Sequence, residues 1–191
     1  DQNALDTLFI KARSHNGWLD TNISDDKIHQ IYELMKYGPT AANNSPARIT
    51  FVKSDSAKQK LKAHLDEGNI EKSMEAPVVA IISYDIEFYE KLGFLFPHTD
   101  AKSWYAGNDA KIKQAGEMNA TLQGAYFMLA ARSVGLDCGP MGGFNNQTLD
   151  EEFFPDGKTK SIFICALGQG DTSKIYPRGP RLGFNEACEI V

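Results

Sequence analysis

Five short stretches of this sequence hold the residue types that chemistry needs. Arg13-Ser14-His15-Asn16 sets a cation, a hydroxyl and an amide within a few residues of a helix end. A planar guanidinium fork and a short hydroxyl donor suit a phosphate. The plainer reading is a polar helix C-terminus in which Arg13 answers the helix dipole. Gly38-Pro39-Thr40-Ala41-Ala42-Asn43-Asn44-Ser45-Pro46 is small enough for a flat ring to approach closely. Asn43 can both donate and accept at a ring edge, although the stretch also reads as a proline-bounded turn. In Gly68-Asn69-Ile70-Glu71-Lys72, Lys72 offers a charge that stabilises a developing anion and Asn69 offers an amide. Both would be equally at home on a solvated loop. Gly135-Leu136-Asp137-Cys138-Gly139-Pro140-Met141-Gly142-Gly143-Phe144 reads as a loop with few side chains, so its backbone N–H groups are open to a ligand. It does not match G-x-G-x-x-G, so a doubly wound dinucleotide site is not indicated. In the tail, Arg178 and Arg181 could close over a phosphate or simply add solubility.

Bulk properties narrow the classes that could use these groups. A chain of 191 residues, 42% hydrophobic and 24% charged, suits one globular domain spanning 1–191. A net charge of -5 argues against a nucleic-acid partner. No apolar run approaches the roughly 20 residues that cross a bilayer, and no secretory leader pattern opens the chain. The three cysteines, Cys138, Cys165 and Cys188, are odd in number and widely spaced. That fits a reducing cytoplasm better than a disulfide framework. No local pattern supplies a base to make Cys138 a nucleophile, and the four histidines lack metal-ligand spacing.

The elements that must position the candidate groups follow from periodicity. Ala4 to Arg13 places Leu5, Leu8, Phe9 and Ala12 on one helical face. Ser24 caps a second helix carrying Ile28, Ile31, Leu34 and Met35, which stops before Gly38-Pro39. Ile49-Thr50-Phe51-Val52 reads as a strand, and Leu61 and Leu65 mark a short helix. Pro77 to Ile82 reads as a strand buried on both faces. The longest helix is expected from about Asp109 to Val134, with Leu122, Ala125, Leu129 and Ala130 as its buried stripe and Gly135 as its stop. Thr148 to Phe153 is a short helix and Ser161 to Leu167 the last strong strand. Strands separated by helices indicate an α/β or α+β sheet.

In order and spacing the chemical segments resemble the nitroreductase family, over nearly the whole chain. In that family a short N-terminal segment binds FMN, here Arg13, Ser14 and Asn16; the family usually has Arg or Lys where Asn16 stands. The family's Pro-Ser-x-x-Asn-x-Gln-Pro turn, given by the partner subunit, is similar to Pro39, Thr40, Ala41, Asn43 and their neighbours, with Ser45 in place of Gln. Asn69 and Lys72 match its Asn-x-x-Lys element at the flavin N1/O2 edge. The loop from Gly135 to Phe144 matches the one that turns its backbone to the flavin, at Pro140, Met141, Gly142 and Gly143. Arg178 and Arg181 resemble the basic tail pair.

The resemblance implies an α+β fold: a mixed, mainly antiparallel sheet flanked by helices in an interlocked homodimer. It also implies a ping-pong reaction in which NADH or NADPH passes hydride to the flavin and a small oxidised substrate then receives it. Leu95 to Tyr105, Arg13 to Trp18 and Ser45-Pro46-Ala47-Arg48 are similar to the malonic semialdehyde reductase subgroup, linked to pyrimidine breakdown. A substrate of that kind needs a cation for its carboxylate and a proton for its developing alkoxide. Arg48 and Tyr105 are the candidates. A broad nitroreductase or quinone reductase, a flavin-binding protein without turnover and a non-enzymatic interaction domain are the alternatives.

Overall fold

A computed structural model describes residues 1–191. Its centre is one sheet of four strands, β1 (Ala47–Val52), β2 (Val78–Asp85), β3 (Asp137–Met141) and β4 (Thr159–Gly168). They lie in the order β1-β2-β4-β3, and every neighbouring pair is antiparallel. An isolated parallel bridge joins Ser14 to Cys138 at the β3 edge. The apolar run predicted after Pro77 becomes β2, buried from Val78 through Tyr84. Alternation sends Val78, Ala80 and Ile82 to one face, with Cys138, Cys165 and Leu167. Val79 and Ile81 go to the other, with Met141, Ile164 and Ala166. A one-residue slip would exchange those sets, so burial on both faces fixes the register. Each buried valine or isoleucine contributes about 1.5–3 kcal/mol.

The first face packs on α2 (Asp25–Met35) and α6 (Asp109–Ser133) through Ile31, Met35, Phe127, Ala130 and Ala131. Ser24 Oγ accepts from Lys27 N at 3.2 Å and caps α2. Gly135, at φ +83°, stops α6 in the left-handed conformation that glycine tolerates. The second face is covered by α3 (Asp55–Lys62), α4 (Glu67–Glu75) and α7 (Asn146–Phe153). Leu61, Leu149, Trp18 and Phe144 fill that layer.

The stripe expected on α6 is corrected. Leu122 and Ala125 are exposed and Leu129 is only part-buried; of the four, Ala130 alone is buried. The inner face consists of Ile112, Ala115, Gly116, Asn119, Ala120, Gln123, Gly124, Phe127, Ala130 and Ala131. Close approach to the sheet demands small residues there. A Cβ on Gly116 would stand 2.3 Å from the Tyr84 ring, and one on Gly124 2.7 Å from Phe163. The larger apolar side chains, Met118, Leu122 and Tyr126, point away from the sheet and are exposed.

Three smaller differences follow from tertiary contacts. The N-terminal helix is α1 (Gln2–Leu5) continued by a wide π turn over Asp6–Ile10, and Leu5 and Phe9 are exposed. Half of the stretch expected as a glycine-rich loop, Asp137–Met141, is strand β3, because β4 supplies its ladder partner. Leu65 lies beyond α3 and pairs with Phe144. A short α5 (Leu92–Leu95) and a final α8 (Phe184–Ala187) complete the elements. No helix is long and apolar enough to cross a membrane.

Candidate functional site

Residues 13–18 leave the first helix and run beside β3. His15 N donates to Cys138 O at 3.0 Å. A Cβ on Gly139 would meet His15 O at 2.6 Å, so that position must be glycine. The tail then returns across the same segment. Asp171 N donates to Gly17 O at 3.0 Å, and Arg178 Nη2 donates to Ile10 O at 2.8 Å and Ala12 O at 2.9 Å. Arg13 Nη2 donates to Tyr176 O. Between them lies a cavity of about 610 Å³ lined by Arg13, Ser14, Asn16, Arg132, Arg178 and Arg181, with apolar residues at its sides and no Asp or Glu in its wall. Four guanidinium groups with no carboxylate among them make an anion site.

Arg132 was not singled out from the sequence. A basic residue in the last turn of a helix reads there as a companion to the dipole. In the fold, its Nη1 donates to Leu8 O at 3.1 Å, and its Nε is buried without a partner. That orphaned donor is the kind of group an anion satisfies.

A second set adjoins the first. Trp18 Nε1 donates to Lys72 O at 2.8 Å, which ties residues 13–18 to α4. Asn69 Nδ2 donates to Gly143 O at 2.7 Å. A Cβ on Gly143 would stand 2.5 Å from Asn69 Nδ2 and 2.8 Å from Asp66 Oδ2, so both side chains would have to shift, Asn69 away from its bond to Gly143 O. A Cβ on Gly142 would meet nothing within 4 Å. Met141 turns its side chain into the core and Pro140 lies exposed, so β3 and its exit present mainly backbone on the open side. Lys72 is part-buried, and burial pulls its pKa below the ordinary lysine value. It appears in no ion pair with a carboxylate. Lys58 anchors this helix: buried on α3, it donates to the carbonyls of Ala76 and Met74 at the end of α4.

The 39–46 turn lies elsewhere. Ala42, Asn43 and Ser45 all have positive φ, at 50°, 51° and 38°, and none is glycine. Such backbone persists only where its surroundings enforce it, and it concentrates at functional sites. Thr40 Oγ1 accepts from Ser45 N at 3.1 Å, and Asn43 Nδ2 donates to Leu95 O at 2.9 Å. Ala41 N donates to Asn119 Oδ1 on α6 at 2.8 Å. From Asn119 to Arg132 is thirteen residues, roughly 20 Å along the helix. One chain therefore brings together Arg13, Ser14, Asn16, Asn69, Lys72, 140–143, Arg178 and Arg181, and holds Pro39, Thr40, Ala41 and Asn43 apart from them.

The two residues expected to handle substrate are otherwise engaged. Arg48 Nη2 pairs with Asp85 Oδ2 at 2.6 Å, and its Nη1 donates to Ala47 O at 2.8 Å and to the carbonyls of Ser45 and Pro46 at 3.4 Å. In place of a substrate carboxylate, it holds the end of the 39–46 turn against β2. Tyr105 is buried, edge-on to Phe88 at 5.0 Å, with Lys111 Nζ 5.2 Å from its ring. In this chain its ring packs against Phe88. Cys138 is fully buried, which removes it as a nucleophile.

The sequence profile of the Nitroreductase family matches residues 11–169. A protein of Ralstonia nicotianae, provisionally named an NADH dehydrogenase/NAD(P)H nitroreductase, is 54% identical over 191 residues, covering 100% of this chain and 98% of the relative. Among solved structures, a provisionally named nitroreductase of Bacillus subtilis aligns with a TM-score of 0.89 at 23% identity over 100% of both chains. One of Exiguobacterium sibiricum, in complex with FMN, gives 0.85 at 18% identity over 98% of this chain and 96% of that one. Likeness at those identities establishes the fold.

Proposed function

This chain belongs to the nitroreductase family, and on that premise we propose that it is an NAD(P)H-dependent oxidoreductase that binds FMN between two copies of itself. The observation that carries this reading is the cavity of four arginines without a carboxylate. The chain's donors fit the cofactor. Arg13, Ser14, Asn16, Arg132, Arg178 and Arg181 would hold its phosphate, and a phosphate oxygen would satisfy the buried Arg132 Nε. Asn69 and Lys72 would hold the polar edge of its ring, and the backbone of Pro140 to Gly143 would lie along it. FMN, when bound, supplies the two-electron relay between NAD(P)H and an oxidised substrate. Lys72 contributes a part-buried positive charge that favours added negative charge beside it. Gly142 leaves the approach to this region open.

The proposed homodimer is supported by two features of this chain. The 39–46 turn is shaped at the cost of left-handed backbone, yet stands roughly 20 Å from its own chain's arginine cavity. Across a twofold axis it would reach the partner's cofactor. The exposed strip of Met118, Leu122 and Tyr126 on α6 offers the apolar surface such an axis needs.

The finer reading is reduction of 3-oxopropanoate to 3-hydroxypropanoate in pyrimidine breakdown. It is supported by the segments Arg13 to Trp18, Ser45 to Arg48 and Leu95 to Tyr105. Arg48 is engaged with Asp85 and Lys102 with Glu90, so neither is free for the carboxylate. The exposed aromatics Phe94, next to Leu95, and Trp104, whose ring lies 6.1 Å from that of Phe96, favour a second reading: a reductase of flat nitroaromatics or quinones. One experiment tests both. The purified protein is reduced anaerobically with NADH or NADPH, and its reoxidation by 3-oxopropanoate, a nitroaromatic and a quinone is followed. Rapid reoxidation by 3-oxopropanoate supports the finer reading, whereas reoxidation by the others alone leaves only the broad one. A yellow protein that neither nucleotide bleaches is a flavin carrier, and a colourless one that refuses FMN overturns the proposal.

A further inference from the structure

Two amides sit on the buried face of α6, where packing against a sheet would favour apolar groups. Asn119 is 0% exposed and Gln123 5%. Buried amides are tolerated only where hydrogen bonds replace water, and these bonds share a target. Asn119 Oδ1 accepts from Ala41 N at 2.8 Å, while its Nδ2 donates to Ala115 O at 2.8 Å one turn back in α6. Gln123 Oε1 accepts from Ala47 N at 2.9 Å. The two residues are four apart, so they stand one above the other on one helical face. They grip the backbone at the start and the end of the segment that holds Ala42, Asn43 and Ser45 in left-handed conformations. Small neighbours, Ala115, Gly116, Ala120 and Gly124, let that segment and the sheet approach.

We propose that Asn119 and Gln123 are positioning residues for the cofactor site. They hold the 39–46 turn in its strained shape before the cofactor arrives, so that α6 sets the geometry of the half-site offered to the second copy. This rests on the reading of that turn as part of the FMN site. Neither amide touches the reacting atoms. Each acts through a backbone N–H whose direction it fixes, and a turn preformed in this way spares binding the cost of ordering it.

The test is an FMN titration of the apo dimer by fluorescence quenching, run beside thermal melts. Asn119→Leu leaves Ala41 N without its acceptor and is expected to weaken FMN binding about tenfold, which is about 1.4 kcal/mol. Asn119→Asp is expected to recover most of that loss in mildly acidic buffer. There a buried, protonated carboxyl offers the same acceptor and donor as the amide. The recovery should fade as pH rises and the acid ionises without a counter-charge. Ile81→Val, a core change in β2 distant from the turn, should lower the melting temperature and leave FMN affinity unchanged. If Asn119→Leu does not yield a folded dimer, Gln123→Met and its rescue by Gln123→Glu carry the same comparison. Unchanged affinity in Asn119→Leu, or an equal loss in Ile81→Val, overturns the positioning role. Asn43→Ala separates the two ideas. If it weakens FMN binding while Asn119→Leu does not, only the positioning role falls; if it too has no effect, the turn is not part of the FMN site.

Discussion

Replacing Arg132 with Met should cost FMN affinity and leave riboflavin affinity untouched. The substitution keeps an unbranched apolar stem of similar reach and removes the head group whose Nε is buried without a partner. A guanidinium about 4 Å from a phosphate, at an effective dielectric of about 20, interacts by about 4 kcal/mol per unit charge. That is an upper bound, because the cavity opens to solvent and three other arginines share the anion. A charge-assisted hydrogen bond of about 1.5–3 kcal/mol is the better measure. The expected loss is therefore roughly 10- to 150-fold in the dissociation constant for FMN. Riboflavin has no phosphate, so the preference for FMN over riboflavin should shrink by the same factor. The apo protein should melt near the wild-type temperature, since the relieved repulsion among four like charges and the removal of an orphaned donor offset the lost bond to Leu8 O. Paired titrations at two salt concentrations complete the assay, because the wild type should lose more FMN affinity to salt than the variant. Equal losses for FMN and riboflavin would mean that Arg132 acts through the fold. No loss for either would place the phosphate elsewhere and refute the anion-site argument.

Gly143→Ala should lower the melting temperature, because its Cβ collides with Asn69 and Asp66. Gly142→Ala should leave apo stability unchanged and weaken FMN binding alone; differential scanning of both variants with and without FMN checks this. Lys72→Met should lower the flavin reduction potential, measured by dye equilibration, without destabilising the apo protein. Burial lowers the folded-state pKa of Lys72 below its unfolded value, so between the two the unfolded chain binds more protons. Wild-type stability therefore gains as pH rises through that window, and the gain should vanish in Lys72→Met. Arg48→Leu breaks the Asp85 pair and frees three carbonyls at the turn. It should reduce turnover of 3-oxopropanoate and of a nitroaromatic in parallel; a loss confined to 3-oxopropanoate would restore Arg48 as the carboxylate holder.

The sequence alone determined everything that depends on neighbours along the chain. The unbroken apolar run after Pro77 is typical of a strand covered on both sides, and β2 is that strand. Ser24 and Gly135 mark helix ends because a side-chain oxygen and a left-handed backbone act within a few residues of themselves. The types and spacing in the chemical segments were enough to show the resemblance to a family that the profile match bears out. Arg13, Ser14, Asn16, Arg178 and Arg181 do line one cavity.

Tertiary structure decided the rest. α6 carries apolar residues on both sides, so periodicity could not tell its inner face from its outer one. The sheet chose the face with Gly116 and Gly124, because only glycine clears Tyr84 and Phe163 at that distance. Arg48 looked like a free cation because its partner is thirty-seven residues away and meets it only through the pairing of β1 with β2. Arg132 gained its place at the anion cavity when the tail folded back over the first helix. Tyr105 is buried edge-on to Phe88, which no local pattern connects to it. The separation of the 39–46 turn from the arginine cavity is set by the length of α6 between Asn119 and Arg132. Charge, hydrogen bonding and close packing are read from the sequence as capacities. Which partner satisfies each one is fixed by contacts distant along the chain.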